Sequence, residues 1–421
     1  MSLSGVNSDI DDGPVPARPE PDPDSGRGRR WSIPEPPRLS LPVTGMLIFA
    51  AIRVVSVAFA AVLLRHGKYQ LRHWSVVRWM RASDGGHYTA IAAHGYTYPA
   101  GQLAHASVFS WFPGYPAVID SIAWLPGVTI VAAGIVVTAI AGLAAAWGLT
   151  ALGLKLTGDP RISVLMVAVW AVAPGSTVLS MMYAEALFCA LAIWALVALV
   201  GRRWLTAGGL TLVAGTVRST ALALILAVCA AALIAVIQAV RARQPFARWW
   251  RPVAAALLAP LGLLGYLGYV ALATHRLDGW FWVENHVCHM TLDWGVTTLR
   301  VVKGTLLGTP GVPGVGPAEP LILVVGAIIA AVLLTLWSLT ERIPVYLHLY
   351  TIVVVTMALA TSANWVGSKP RFILPAVLLA LPVARLLAPV RTSVLVPLIA
   401  VLAVATTWFG LYVLVIYGWA P

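Results

Sequence analysis

Acidic side chains are scarce in this 421-residue chain: between residues 44 and 421 it has only nine Asp and Glu. Charged residues make up 10% of the sequence against 59% hydrophobic, and the mean hydropathy is +0.84. Soluble domains carry roughly 25% charged residues, so a soluble globular protein is excluded. Regular apolar–polar alternation is also missing, and the apolar runs are far too long for the strands of a membrane barrel. Cysteines number three, Cys189, Cys229 and Cys288. Odd in number and widely separated, they exclude a disulfide framework and any metal-binding spacing. The net charge is +12, yet no compact soluble basic domain exists to take nucleic acid. What is left is an all-α polytopic membrane protein.

The N-terminal residues 1–43 hold nine prolines, seven acids and five arginines. That composition predicts a disordered tail. The tail is too long and too acidic for the leading part of a signal peptide, so the first apolar run is expected to stay as an anchor. Residues 44–421 form the membrane domain. Apolar runs lie near 44–64, 128–154, 161–178, 184–200, 204–218, 219–240, 252–273, 319–340, 344–361, 371–388 and 392–417. At about 20 residues per crossing these are eleven spans.

One further stretch, Phe109 to Leu125, is ambiguous because Asp120 interrupts it. Basic loops decide its placement. Lys155/Arg161, Arg202/Arg203, Arg241–Arg251, Arg342 and Arg385/Arg391 all fall on the side of the arginine-bearing tail if 109–125 lies along the membrane surface. Positive loops mark the cytoplasmic side. The tail is then cytoplasmic, and loops 65–127 and 274–318 face outward. Arg53, inside the first run, is expected to snorkel towards the cytoplasmic face.

On this topology the unusual polar residues share the outer face. Asp84 sits in Arg81-Ala82-Ser83-Asp84-Gly85-Gly86-His87-Tyr88. Asp-Gly is a turn signal, but a carboxylate beside glycines also suits a general base that a bulky substrate approaches closely. Glu185 opens a span, where an unpaired charge is costly; it is a functional candidate or half of an ion pair with Arg218. Arg218 breaks the apolar run 204–240, and its guanidinium offers a fork for phosphate oxygens. Lys369 and Arg371 flank Pro370 at the mouth of a later span, as a phosphate clamp or as interfacial anchors. Arg65, Lys68, Arg72, Arg78 and Arg81, interleaved with His73, Trp74 and Trp79, read as a stretch lying on the bilayer against anionic lipid heads. The second loop carries Trp280, Trp282, Glu284, His286, His289, Asp293 and Trp294. Its rings suit sugar stacking or an interfacial belt, and His286/His289 lack a second cluster for a metal.

These motifs carry a resemblance. Asp84-Gly85-Gly86-His87-Tyr88, Ile91-Ala92, Gly95-Tyr96 and Phe109-Ser110-Trp111-Phe112-Pro113-Gly114-Tyr115-Pro116 resemble, in order, the opening of the PIG-V family. These are GPI mannosyltransferase II and its bacterial relatives, of the GT-C membrane class. The likeness continues through Tyr183-Ala184-Glu185-Ala186-Leu187-Phe188 and Thr216-Val217-Arg218-Ser219, and less specifically to Lys369-Pro370-Arg371. Two positions depart: Ser83 stands where the family usually has tryptophan, and Gly114 where it carries a large apolar residue.

The resemblance implies a GT-C-like bundle of about 11 transmembrane helices in the plasma membrane, with juxtamembrane helices in its outer loop. It implies transfer of a sugar, mannose first, from a polyprenyl-phosphate donor to a lipid-linked or glycan acceptor, with inversion. Asp84 would be the base. Arg81, His87, Tyr88, Glu185, Arg218, Lys369 and Arg371 complete the implied substrate and donor-phosphate set. A divalent metal stays open, with no ligand set to support it. A pentose transferase, a transporter or flippase, and a non-catalytic scaffold are the competing readings. Gly- and Pro-rich 308–320 is a candidate flap.

Overall fold

The computed structural model describes residues 40–66, 73–97, 103–308, 318–416 and 418. Residues 1–39 of the expected tail, Lys68, Arg72 and most of the candidate flap lie outside them, while the last residues of the expected tail, from Leu41, already belong to the first helix. The first long helix, α1 (Leu41–His66), leads into a polar stretch with three short helices, α2 (Val76–Arg81), α3 (Asp84–His94) and α4 (Gly114–Ala123). Then follow α5 (Ile130–Thr157), α6 (Pro160–Ala171), α7 (Ala184–Val200), α8 (Trp204–Gly215), α9 (Ala221–Arg241) and a pair split at Pro260, α10 (Trp250–Leu258) and α11 (Leu261–Thr274). A second polar stretch carries α12 (Gly279–His286) and α13 (Val296–Leu306). The chain ends with α14 (Ala318–Ser338), α15 (Val345–Ala360), α16 (Lys369–Ile373), α17 (Ala380–Leu387) and α18 (Thr392–Ile416).

Every one of the eleven apolar runs falls on a helix or a broken helix. Among the described residues six are long and apolar enough to cross a bilayer, or seven if the α16–α17 pair, bent by 78°, counts as one span. The remaining four, α6, α7, α8 and α15, are shorter. At 1.5 Å per residue a helix the length of α8 covers about 18 Å, against about 30 Å of hydrocarbon. Such helices stop partway: the α7–α8 turn at 201–203 is exposed, whereas the turns before α7, after α8 and after α15 lie within the bundle. That is where the polar residues gather. Stretch 109–125 resolves into the end of a 3-10 turn and the ten-residue α4. Tyr115, Pro116 and Ile119 face inward while Asp120 is exposed, so α4 is amphipathic and too short to span.

At the centre, α5 packs against α1, α4, α6 and α7. Its buried face is largely Ala and Gly, including Ala133, Gly134, Ala141, Gly142, Ala145 and Ala146. Small residues let helix backbones approach closely where apolar burial gives no net drive between helices.

Three of the basic segments, around Arg161, Arg342 and Arg385, meet at one end of the bundle. Arg161 donates from Nε to the Ala388 carbonyl at 2.7 Å and from Nη2 to that of Val390. Arg385 pairs with Glu341 at 2.9 Å. The turns carrying Asp84, Glu185, Arg218 and Arg371 meet elsewhere, across α7 and α8 from this basic end.

Arg53 does not snorkel. It is buried, donating to the carbonyls of Ser176 (2.7 Å) and Ala171. Helix α6 ends at Ala171 and leaves carbonyls that water cannot reach. Arg53 reaches from α1 to the last carbonyl of α6 and to that of Ser176 in the turn that follows.

Candidate functional site

Three docking contacts bring distant turns together. The Met182 amide donates to the Met80 carbonyl at 2.8 Å, setting the start of α3 beside the start of α7. The Gly114 amide donates to the Thr216 carbonyl at 2.7 Å. A Cβ at Gly114 would lie 2.6 Å from Thr216 Oγ1 and 2.9 Å from its carbonyl oxygen, so the backbone there has room for hydrogen only. The departure from the PIG-V pattern at Gly114 therefore has a packing cause: glycine seats the α4 turn against the segment leading to Arg218. Gly175, at φ 81°, plays the same part for Arg371, whose backbone nitrogen would sit 2.6 Å from a Cβ. Ser83, the other departure, also has a positive φ, 53°.

These contacts assemble a chain of charges. Arg218 Nη1 lies 2.6 Å from Glu185 Oε1, and Arg371 Nη1 lies 2.8 Å from Asp84 Oδ2 and 3.9 Å from Glu185 Oε1. Glu185 is fully buried and Arg371 almost so, whereas Asp84 and Arg218 each keep 14% exposure. The two less buried groups open onto a cavity of about 180 Å³. Asp84 stands in the first turn of α3, where the helix dipole favours a negative charge. Arg371 lies over the rings of Tyr183 and Phe372, its Cζ 5.2 and 5.0 Å from their centroids. The cavity's other walls are aromatic and hydroxylic: Trp111, Phe112, Trp280 and Phe372 with Ser110, Ser219 and Thr220.

The other expected residues are placed as follows. Tyr88 is buried, lines the cavity and meets Tyr115 edge-on at 5.1 Å; burial holds its phenol well above the ordinary range. His87 stacks on Trp111 with ring centroids 3.8 Å apart, next to the cavity and not lining it. Arg81 donates to Thr89 Oγ1 at 3.1 Å and borders a separate shallow groove with Trp74 and Arg78. Lys369 is not brought to the cavity. Its Nζ donates to the carbonyls of Ala358 (3.0 Å) and Thr361 (2.8 Å), capping the end of α15. The reason is that α15 ends inside the bundle and its last carbonyls need a donor.

One residue was missed as a site member. Glu284, on α12, is 8% exposed and lines the cavity. Burial raises its pKa from the usual carboxyl range to about 7; the charge on Asp84 adds to the rise and a hydrogen bond with Ser110 opposes it. The scarcity of acids was the signal that would have found it. Other acids have explained partners: Asp159 caps α6, Asp293 caps α13 and Glu341 pairs with Arg385. As for metals, no group of three His, Cys, Asp or Glu gathers to hold an ion among the described residues, and His286 Nδ1 faces the Trp282 carbonyl at 3.0 Å.

No protein-family model and no curated protein matches the chain. Among solved structures it is similar to the crystal structure of ArnT from Cupriavidus metallidurans bound to undecaprenyl phosphate, with a TM-score of 0.47 and 15% sequence identity. That similarity covers 80% of this chain but only 59% of the other protein's length. So loose a likeness carries no argument about the site, which is read from its own residues.

Proposed function

We propose that the chain is a membrane glycosyltransferase of the GT-C type. It moves a sugar, mannose in the first instance, from a polyprenyl-phosphate donor to a hydroxyl of a lipid-linked or glycan acceptor. The observation that supports this best is the meeting of Asp84, Glu185, Arg218 and Arg371, from four distant segments, beside one aromatic-walled cavity. The PIG-V-like motifs supply those same four residues.

In the reaction the acceptor oxygen attacks the anomeric carbon from the face opposite the phosphate. The new carbon–oxygen bond forms as the bond to phosphate breaks, and the configuration inverts. Asp84 takes the acceptor's proton. The departing polyprenyl phosphate carries its own negative charge, and Arg371 and Arg218 stabilise it. Glu185 holds Arg218 in place. A phosphate drawn to Arg371 competes with Asp84 for the guanidinium, so donor arrival loosens the pair and leaves the carboxylate available. The two departing positions, Ser83 and Gly114, adjoin the site, and pentose transfer is therefore the neighbouring reading. The clustering of three basic segments at the other end of the bundle supports an extracytoplasmic cavity.

The test is transfer from polyprenyl-phosphate radiolabelled mannose, with the pentose donor in parallel, to acceptors in membranes carrying the protein. Asp84→Asn should retain expression but lose about 10²–10⁴-fold in rate per folded molecule, the usual contribution of a general base. Full activity in that variant removes Asp84 from the chemistry. Cysteine introduced at position 202 or 245 should resist labelling from outside intact cells; ready labelling there reverses the orientation.

A further inference from the structure

Among the described residues, Glu284 is the buried acid that neither an ion pair nor a helix cap explains. Trp280, Glu284 and Cys288 all line the cavity. They recur at intervals of four along α12 and its continuation, so a single helical face points into the site. Behind that face α12 is pinned by an aromatic cluster in which Val283 is fully buried against Phe109, Phe112 and Tyr266. The Tyr266 hydroxyl donates to the Phe109 carbonyl at 2.7 Å. Ser110 Oγ, at the end of the turn α12 packs on, lies 2.8 Å from Cys288 Sγ. A carboxyl held this firmly towards the cavity is built to meet what the cavity holds.

We propose that Glu284 is a substrate-contacting residue of this cavity, its carboxyl O–H donating a hydrogen bond to a hydroxyl of the bound sugar. The inference rests on the glycosyltransferase reading above and assigns a residue to sugar recognition. Two carboxyls then share the cavity with different roles. Asp84, held by Arg371, accepts; Glu284, with no cation beside it, donates. Environments that push two acids apart in this way separate such roles. Burial and the nearby Asp84 charge keep the Glu284 proton on up to about pH 7. Donation is therefore lost as pH rises through that value, and transfer should show an alkaline limb there.

Other titratable groups face the same cavity. Asp84, Tyr88, Arg218 and Arg371 line the cavity, and the Cys288 thiol is pushed up to about 11, mainly by burial. On the elements packed against α12 or bordering the cavity the imidazoles are His87 and His94 on α3, His105 in the turn before Ser110, His275 at the end of α11, His286 on α12, His289 just beyond it and His348 on α15, so an asparagine at each in turn serves as a control that should keep the limb.

Transfer of mannose from polyprenyl-phosphate mannose is measured against pH for the wild type, Glu284→Gln and Glu284→Ala. A glutamine amide donates at every pH. Glu284→Gln should retain transfer within a fewfold and lose the alkaline limb. Glu284→Ala should fall about 10- to 100-fold, the range for deleting one hydrogen-bond partner of a buried group. Collapse of Glu284→Gln to the level of the alanine variant, or an unchanged limb in it, overturns the proposal. Infrared difference spectra give a second readout that needs no turnover. Adding the lipid-linked sugar should shift a protonated-carboxyl band present in the wild type and missing from Glu284→Gln. An unshifted band overturns the proposal even if no sugar is transferred. A wild type that shifts the band without transferring sugar overturns only the transferase reading.

Discussion

Among the described residues, two pairs of buried or largely buried cations are held in opposite ways. Arg218 and Arg371 face carboxylates and adjoin a cavity. Arg53 and Lys369 face backbone carbonyls at or just beyond the ends of α6 and α15, and neither lines the cavity that Arg218 and Arg371 share. All four looked alike in the sequence, as positive charges within or beside apolar runs. Burial of charge alone does not distinguish a site from a structural device; the partner does. A carboxylate partner can be exchanged for a substrate anion, whereas a helix-end carbonyl has no other donor within reach.

The largest expected effect tests the first pair. Arg371→Met should reduce sugar transfer about 10²–10³-fold, the scale on which one preorganised donor to developing charge contributes. Lys369→Met should leave the rate per folded molecule near the wild-type value. The contrast breaks if both variants lose transfer to the same degree while remaining folded, which would place Lys369 in the chemistry as well.

The Glu185–Arg218 pair sharpens the comparison further. Glu185 is fully buried, so Glu185→Gln leaves a guanidinium without its nearest charge partner. Removing one member of a buried pair costs about 3–5 kcal/mol, whereas replacing both members is often near neutral. Thermal and denaturant unfolding in detergent of Glu185→Gln, Arg218→Met and the double variant should show the double to be more stable than the sum of the singles implies. Simple additivity would mean that the two charges do not interact as their 2.6 Å separation indicates.

For the carbonyl-bound pair the expected loss is purely structural, in stability and not in sugar transfer. Each carbonyl left without a donor in the bundle costs about 1–3 kcal/mol. Arg53→Met and Lys369→Met should therefore lower unfolding stability by a few such increments and shorten the lifetime of the folded state. A Lys369→Arg variant, which restores donors to the Thr361 end, should recover part of the loss. An unchanged melting profile in both methionine variants would remove the capping account.

Much of this was legible in the sequence. The apolar runs and the basic loops carry the bundle and its segregation into two ends, because hydropathy and charge placement are properties of single residues. Asp84, Glu185, Arg218 and Arg371 were legible through the rarity of charge. The fate of Lys369 and Arg53 was not, since it depends on where α15 and α6 stop, and both helices stop for reasons of packing. The roles of Gly114 and Gly175 were equally hidden, because each depends on a backbone contact with a segment far along the chain. Glu284 lay between the two cases: its rarity was visible, but the aromatic residues around it read as an interfacial belt.

The smallest effect belongs to the basic end of the bundle. Arg385 and Glu341 are 2.9 Å apart, but Arg385 is 45% exposed, so water screens the pair and the arginine gives up side-chain freedom to keep it. Pairs of this kind contribute about 0–1 kcal/mol. Glu341→Gln should leave sugar transfer unchanged and shift unfolding by no more than that. The geometry at 2.9 Å is as good as that of Arg371 with Asp84 at 2.8 Å, so what separates the two is exposure and the presence of a cavity. A Glu341→Gln loss as large as that of Glu185→Gln would show that distance governs these pairs and that burial does not.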